Sequence, residues 1–373
     1  MTKTSCITCE TLLTPLSIVD GIIENTSPHP ITGNVYISQS STDLTFVATN
    51  LSIQIKVHCP LPEGEQPEFE FTVNAKKLHT ILGFFKKQDQ LQLTVESDRV
   101  FVSCDNSQYT LLSLPTKLFP KIPASEWKYK LVLPAKQLRL LFNLTSIAIP
   151  TTLKHYYLNG VNIERTENRL LAVATDTHRL AYYEINMLDK EEVKPFSSII
   201  PRRTVQELCR LLPDEDIPVE CLFNDTQCCF KYKNVEFMSK LTEGKFPNYA
   251  SVLNAARSNP YDIELNRDLL FNSLRRVAFL TTDKLPGVRW AFTTNKLALQ
   301  CTSSDSEEAQ TILDVNWPHH ESEMGFNVNY LYDVLKTITS PTVKLNFGNL
   351  AGAVKLTSPE LPSFRYILMP MRI

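Results

Sequence analysis

Glycine is scarce: ten residues in a chain of 373, at positions 21, 33, 64, 83, 160, 244, 287, 325, 348 and 352. The closest two are four apart, so neither G-x-G nor G-x-S-x-G occurs. That excludes the dinucleotide-binding turn and the usual hydrolase elbow, which need glycine for close backbone approach or a sharp turn. Only Gly244 precedes a lysine, and Phe246 stands where a phosphate-cradling loop requires Ser or Thr. Excess charge of one sign is missing too. Lys plus Arg number 38 against 40 Asp plus Glu, a formal net charge of -2, which argues against a protein that holds nucleic acid by overall positive charge. No apolar run approaches the roughly 18 residues that span a bilayer, and the opening Met1-Thr-Lys-Thr-Ser-Cys-Ile-Thr-Cys-Glu10 lacks the apolar core of a signal peptide. Nine scattered cysteines, an odd number, do not suggest a secreted disulfide framework. Cys6-x-x-Cys9 and the adjacent Cys228 and Cys229 lack the second ligand pair of a zinc site, and the seven histidines include no H-E-x-x-H. The expectation is no metal, no cofactor and a reducing cytoplasm.

What is present is a soluble globular composition, 43% hydrophobic and 21% charged, and an internal repeat. Strand-like segments recur at a spacing near 126 residues: Leu44-Thr-Phe-Val-Ala-Thr-Asn50, Leu170-Leu-Ala-Val-Ala-Thr-Asp176 and Leu297-Ala-Leu-Gln-Cys-Thr-Ser303. Alternation of apolar and polar residues reads them as strands. An extended piece leading into an amphipathic helix recurs on the same register, over 71–82, 199–212 and 325–335. A second helix opens each copy, over 11–19, 134–142 and 266–277. Leu114-Pro-Thr-Lys-Leu-Phe-Pro120 and Leu241-Thr-Glu-Gly-Lys-Phe-Pro247 mark the first two copies again. A repeat this long is no solenoid unit; each copy can bury its own core. The expectation is an α+β protein of three similar domains, 1–125, 126–254 and 255–373, each with two helices packed on antiparallel sheets.

Basic residues concentrate on the repeated helices: Lys76 and Lys77; Lys136 and Arg139; Arg202, Arg203 and Arg210; Arg267, Arg275 and Arg276. Acids gather elsewhere, at Glu63 and Glu65, Asp214 to Asp216, and Asp305 to Glu308. On one helix such a run is ordinarily a solvated face. Its recurrence in three copies suggests a near-neutral particle with one positive face. Similar domains contacting one another in a constant way close into a ring when the rotation divides a circle.

At Tyr156-Tyr-Leu-Asn-Gly160, Val173-Ala-Thr-Asp-Thr-His-Arg-Leu-Ala181, Phe246-Pro-Asn-Tyr249, Gly325-Phe-Asn-Val328 and Met369-Pro-Met-Arg-Ile373 the chain resembles the bacterial DNA polymerase III beta subunits, the sliding clamps, over essentially its whole length. The resemblance implies a head-to-tail homodimer forming a six-domain ring, helices lining the hole. It implies no catalysis. The ring would encircle duplex DNA without reading sequence and tether the replicative polymerase, the clamp loader and repair polymerases through short peptides. The implied DNA contacts are Lys76, Lys77, Lys154, Tyr156, Tyr157, Arg202 and Arg203. The loop Glu24-Asn-Thr-Ser-Pro28 departs from the family, which often carries an Arg there.

The resemblance also implies a peptide pocket. Leu158, Thr175, Leu180, Pro247, Val252, Ile367 and Met369 would line a deep apolar subsite. His178, Asn327, Tyr330, Met371 and Arg372 would form a neighbouring groove, with Arg179 and Pro370 alongside. Thr177 stands where the family usually has Gly, and Ser251 where many members carry Arg, which implies an altered peptide preference. Leu, Val and Met make an adaptable cavity for a Leu or Phe anchor, although Met369 and Met371 read equally as core residues from their chemistry alone. The dimer seam would set Tyr109 and Leu111 against Phe279, Leu280 and Leu285, with Arg99 facing Glu307 and Glu308. Asn106 and Gln108 occupy positions that are often Arg in the family, so the seam would depend on apolar packing. Two rivals remain: an acid–base enzyme using Tyr156, Asp176, His178 and Arg179, and a scaffold whose positive helices bind acidic proteins.

Overall fold

The computed structural model describes residues 2–372 apart from 24–27, 62–66, 124, 153–154, 188–193, 257–258, 283–285, 304–305, 318 and 349–351. One order of elements occurs three times. The first copy runs β1 (Lys3–Thr8), α1 (Cys9–Val19), β2 (Asn34–Gln39), β3 (Asp43–Thr49), β4 (Ile53–Pro60), β5 (Phe69–Asn74), α2 (Ala75–Leu82), β6 (Gln90–Val95), β7 (Arg99–Cys104) and β8 (Ser107–Leu112). The second runs β9 (Tyr129–Pro134), α3 (Ala135–Ser146), β10 (Gly160–Arg165), β11 (Arg169–Thr175), β12 (Arg179–Asn186), β13 (Phe196–Pro201), α4 (Arg202–Leu211), β14 (Pro218–Phe223), β15 (Gln227–Tyr232) and β16 (Val235–Lys240). A short helix, α5 (Ala250–Ala255), precedes the third. That copy runs β17 (Tyr261–Asn266), α6 (Arg267–Val277), β18 (Gly287–Thr293), β19 (Lys296–Thr302), β20 (Glu308–Asp314), β21 (Ser322–Asn327), α7 (Val328–Thr337), β22 (Thr342–Phe347), β23 (Val354–Ser358) and β24 (Leu361–Leu368).

Strand turns directly into helix because the last strand residue caps the helix. Thr8 accepts from the Thr11 N–H, Asn74 from Lys77, Asn266 from Leu269 and Asn327 from Asn329, each relieving an orphan donor of the first turn. The helices then bury one stripe, as with Val328, Leu331, Val334 and Leu335 of α7. At the start of β10 glycine is required: a Cβ on Gly160 would lie 2.3 Å from the Ile200 carbonyl oxygen. The expected alternation holds in β19 but not in β11, where Leu170 to Thr175 are all buried. A strand covered on both faces has no reason to alternate.

Each copy splits its eight strands into the same two four-stranded antiparallel halves. Its first, sixth, seventh and eighth strands form one half, and its second to fifth form the other. Half-sheets of successive copies fuse. The β4–β16 pairing, with Val57 opposite Val235, completes the sheet β5-β2-β3-β4-β16-β15-β14-β9. The β12–β24 pairing, with Leu180 opposite Ile367, completes β13-β10-β11-β12-β24-β23-β22-β17. Two half-sheets remain four-stranded, β1-β6-β7-β8 and β20-β19-β18-β21. The chain packs as two compact units, residues 1–137 with 207–241, and 138–206 with 242–373. The central copy contributes to both because each of its half-sheets continues a neighbour's. Among the described residues no helix is long and apolar enough to cross a membrane.

Candidate functional site

In the second unit three segments distant in sequence enclose an apolar cavity of about 220 Å³. The β11–β12 turn supplies Thr175, Thr177, Arg179 and Leu180; the stretch leading into α5 supplies Pro247, Asn248, Tyr249 and Val252; the end of β24 supplies Ile367 and Met369. Pairing of β12 with β24 brings the first and third together, and the Met369 N–H donates to the His178 carbonyl at 2.9 Å. The second is held by Tyr249, whose hydroxyl donates to Glu164 Oε2 at 3.0 Å and whose ring meets Phe246 edge-on. Leu158, Leu180, Phe246 and Ile367 form the core beneath. Met369 is 43% exposed, too open for a core residue, and Val252 is at the rim. Asn248 and Tyr249 were not foreseen as wall residues, although the motif Phe246-Pro-Asn-Tyr249 pointed at them.

The turn is built by its own side chains. Asp176 Oδ1 accepts the backbone N–H groups of His178 and Arg179 at 3.0 and 2.9 Å. Thr175 Oγ1 donates to the Arg179 carbonyl and accepts the Thr177 N–H. Thr177 takes φ 77°, the left-handed region that a β-branched residue rarely enters. Arg179, only 6% exposed, donates through Nε to Asp176 at 3.0 Å and through Nη1 to Asp333 at 2.6 Å. Its guanidinium lies 4.2 Å from the centroid of the Tyr330 ring. Burial would lower its pKa, but Tyr366, Asp333 and Asp176 outweigh that and hold it above the ordinary arginine value.

A second, polar cavity of about 330 Å³ adjoins and shares Thr177. His178 and Tyr330 line it, as does Leu158, with Asp176, His155 and the segment Pro150 to Thr152. The other expected pocket residues line neither cavity. Ser251 is exposed on α5, Asn327 caps α7, and Met371 pairs through its N–H with the Gly325 carbonyl. Pro370 is half-buried beside Met371, and Arg372 is exposed. Asp176 gives the enzyme reading no free base, since its carboxylate is occupied by the turn and by Arg179. The buried thiols are held protonated: burial pushes Cys229 up to about 12 and raises Cys221 and Cys228 as well.

Of the residues expected at DNA, Lys76 and Lys77 are exposed on α2 in the first unit. In the second unit Tyr156 is 63% exposed and meets Tyr157 edge-on at 5.6 Å. Arg203 is exposed at the start of α4, whereas Arg202 donates to the Pro150 carbonyl at 2.8 Å. Lys154 lies outside the described residues. Two helix arginines are not free cations. Arg210 bonds Glu207 and the carbonyls of Ser17 and Ile18 at the end of α1, and Arg267 bonds Asp268 and the carbonyls of Leu335 and Ile338. Basic composition on a helix does not by itself make a basic face.

Of the seam residues, Arg99 is exposed on β7 and Tyr109 is half-buried on β8 between Phe84 and Phe85, at 6.5 and 6.1 Å between centroids. Leu111 is buried. Phe279 is 85% exposed after α6, Leu280 is half-buried, and Glu307 and Glu308 are exposed at the start of β20. Leu285 lies outside the described residues. Phe84, Leu112 and Ile312, exposed by 68, 72 and 54%, were missed. Leu112 and Ile312 are exposed apolar side chains on the edge strands β8 and β20, and Phe84 follows α2 in a turn.

A thrice-repeated α+β unit whose half-sheets fuse end to end, with an apolar cavity at a fused junction, defines a tandem clamp-type protein. Family models of the DNA polymerase III beta subunit match the N-terminal domain over 4–123, the central domain over 132–248 and the C-terminal domain over 257–372. The beta sliding clamp of Haemophilus influenzae is 31% identical over 98% of this chain and 99% of its own length, and that of Escherichia coli K12 30% identical over 98% of each. The crystal structure of the DNA polymerase III subunit beta of Pseudomonas aeruginosa superimposes with a TM-score of 0.94 at 29% identity, covering 100% of both chains. A second clamp structure from that organism holds griselimycin, and the C. crescentus beta sliding clamp, with a TM-score of 0.93, holds polyethylene glycol in a region described as its beta-motif tethering region. The chain belongs to the DNA polymerase III beta subunit family, the beta sliding clamps, and is a non-enzymatic DNA sliding clamp of replication.

Proposed function

We propose that two copies of this chain join head to tail through β8 and β20 and close around duplex DNA. One observation carries this. The fourth strand of one copy pairs with the eighth strand of the next, β4 with β16 and β12 with β24, and among the described strands β20 and β8 are the two left without that partner. Continuing the rule, β20 of one protomer meets β8 of the other, with Leu111 near Glu307 or Glu308. The edges support the reading: Ser107 to Leu112 contain no charge and no proline, and β20 exposes Ile312. An edge so unprotected invites pairing. The aromatic residues Phe84, Tyr109 and Phe279 would fill the seam.

Two closures per ring leave a path for DNA to enter only when one seam opens, so the decisive test is topological. The protein, loaded on closed circular DNA by its loader, should remain through gel filtration and leave when the circle is cut. Equal retention on both forms would overturn encirclement. Lys76, Lys77, Lys154, Tyr156, Tyr157, Arg202 and Arg203 are the contacts this reading uses. Loose phosphate contacts suit a ring that must slide.

The apolar cavity supports docking of short peptides from polymerase, clamp loader and repair polymerases, each burying a Leu or Phe anchor. Met369→Ala should weaken a Leu-Phe peptide roughly tenfold, read by fluorescence anisotropy; unchanged affinity would remove Met369 from the site. Three segments, 1–125, 126–254 and 255–373, and a reducing cytoplasm complete the proposal, the latter supported by nine cysteines that form no disulfide.

A further inference from the structure

The apolar and polar cavities meet at Thr177, and the wall between them is one hydrogen-bonded loop. From the turn, Asp176 holds Arg179. From α7, Tyr330 stacks under the guanidinium and Asp333 grips Nη1. Tyr366, fully buried on β24, receives from Arg179 at 3.4 Å and donates to the Tyr330 carbonyl at 3.0 Å. Arg179 faces the apolar cavity, while Asp176 and Tyr330 face the polar one. Tyr330 and Asp333 are three apart on α7 and so share a face. Asp333 lines neither cavity, yet its carboxylate makes the charged link from α7 to the guanidinium.

We propose that Asp333 is a positioning residue that fixes the separation of the two cavities, and with it the spacing between the apolar anchor and the polar residues of a partner peptide. This rests on reading the cavities as peptide sites. Without Asp333, Arg179 keeps Asp176 and Tyr366, so the apolar cavity retains its walls. Tyr330 keeps its bond to Asp176 and its place under the guanidinium, but α7 loses its charged link to Arg179, and the polar cavity is freer to shift against the apolar one. A charge-assisted bond holds geometry better than a neutral one.

Two labelled synthetic peptides test this, one with three polar residues before a Leu-Phe pair, the other with those three replaced by glycine. Asp333→Ala should weaken the first about tenfold and the second less than about twofold, a coupling of ordinary size between linked sites. Asp333→Glu should recover part of the loss, and Asp333→Asn serves if the alanine variant does not fold. Equal loss for both peptides, or loss for neither, would overturn the positioning role. Absence of saturable binding of either peptide to the wild type would instead overturn the peptide reading and take this proposal with it.

Discussion

Thr177 joins the two cavities and holds φ 77°, where an L residue loses about 1–2 kcal/mol to contact between Cβ and the carbonyl. The corresponding turn of the first copy holds Leu51 at φ 73°, while in the third copy, where the turn is one residue longer, Ser306 takes φ 64°. The hairpin, not the residue, therefore sets the conformation. Thr177→Gly should raise stability by about 0.5–1 kcal/mol in urea unfolding, relief of strain exceeding the added freedom of the unfolded chain. Thr177→Ala keeps the Cβ and should gain little. The sequence marked Thr177 as unusual at a glycine position but could not reveal its φ, since Asp-Thr-His carries no glycine or asparagine signal. Glu184 titrates at the β12–β24 junction. Burial would raise its pKa, but the Tyr182 hydroxyl, Arg169 and Arg365 outweigh that and hold it below 4.5. A carboxylate depressed in the folded state contributes fully above its unfolded value, and the contribution is lost as pH falls through the folded value. Glu184→Gln should therefore flatten the loss of stability as pH falls below the ordinary carboxylate value, measured by urea midpoints.

Strands and helices were largely legible because their signals are local: period-two alternation, a helical stripe and an asparagine or threonine cap. All three expected strand–helix pairs form, as β5–α2, β13–α4 and β21–α7. The joining of half-sheets across copies was not legible, because register between residues 178 to 189 positions apart is chosen by packing. That joining makes β8 and β20 the exposed ends. Leu112→Lys on β8 or Ile312→Lys on β20 would put a charge on the proposed seam. Light scattering should fall from twice 42.5 kDa to the single-chain mass. A variant that stays dimeric would move the seam elsewhere. With Asn106 and Gln108 uncharged, dimer dissociation should change little across a salt series, and a steep dependence would show that ion pairs dominate.

For the proposed ring, a net charge of -2 does not oppose DNA, since a closed ring can segregate a basic hole from an acidic outside. Replacing both Lys76 and Lys77 by Glu should shorten retention on circular DNA at low salt while leaving peptide affinity unchanged. The triplicate architecture followed from the amino-acid order alone, because a repeat and its strand and helix periods are written locally; the pocket residues came only through the resemblance to the clamp family. Only folding decided that Arg210 and Arg267 serve helix ends, that Tyr249 and Asn248 complete the cavity wall, and that Asp333 reaches Arg179 from 154 residues away. Those outcomes depend on which side chains long-range strand pairing brings within hydrogen-bond reach, and no local pattern encodes that distance.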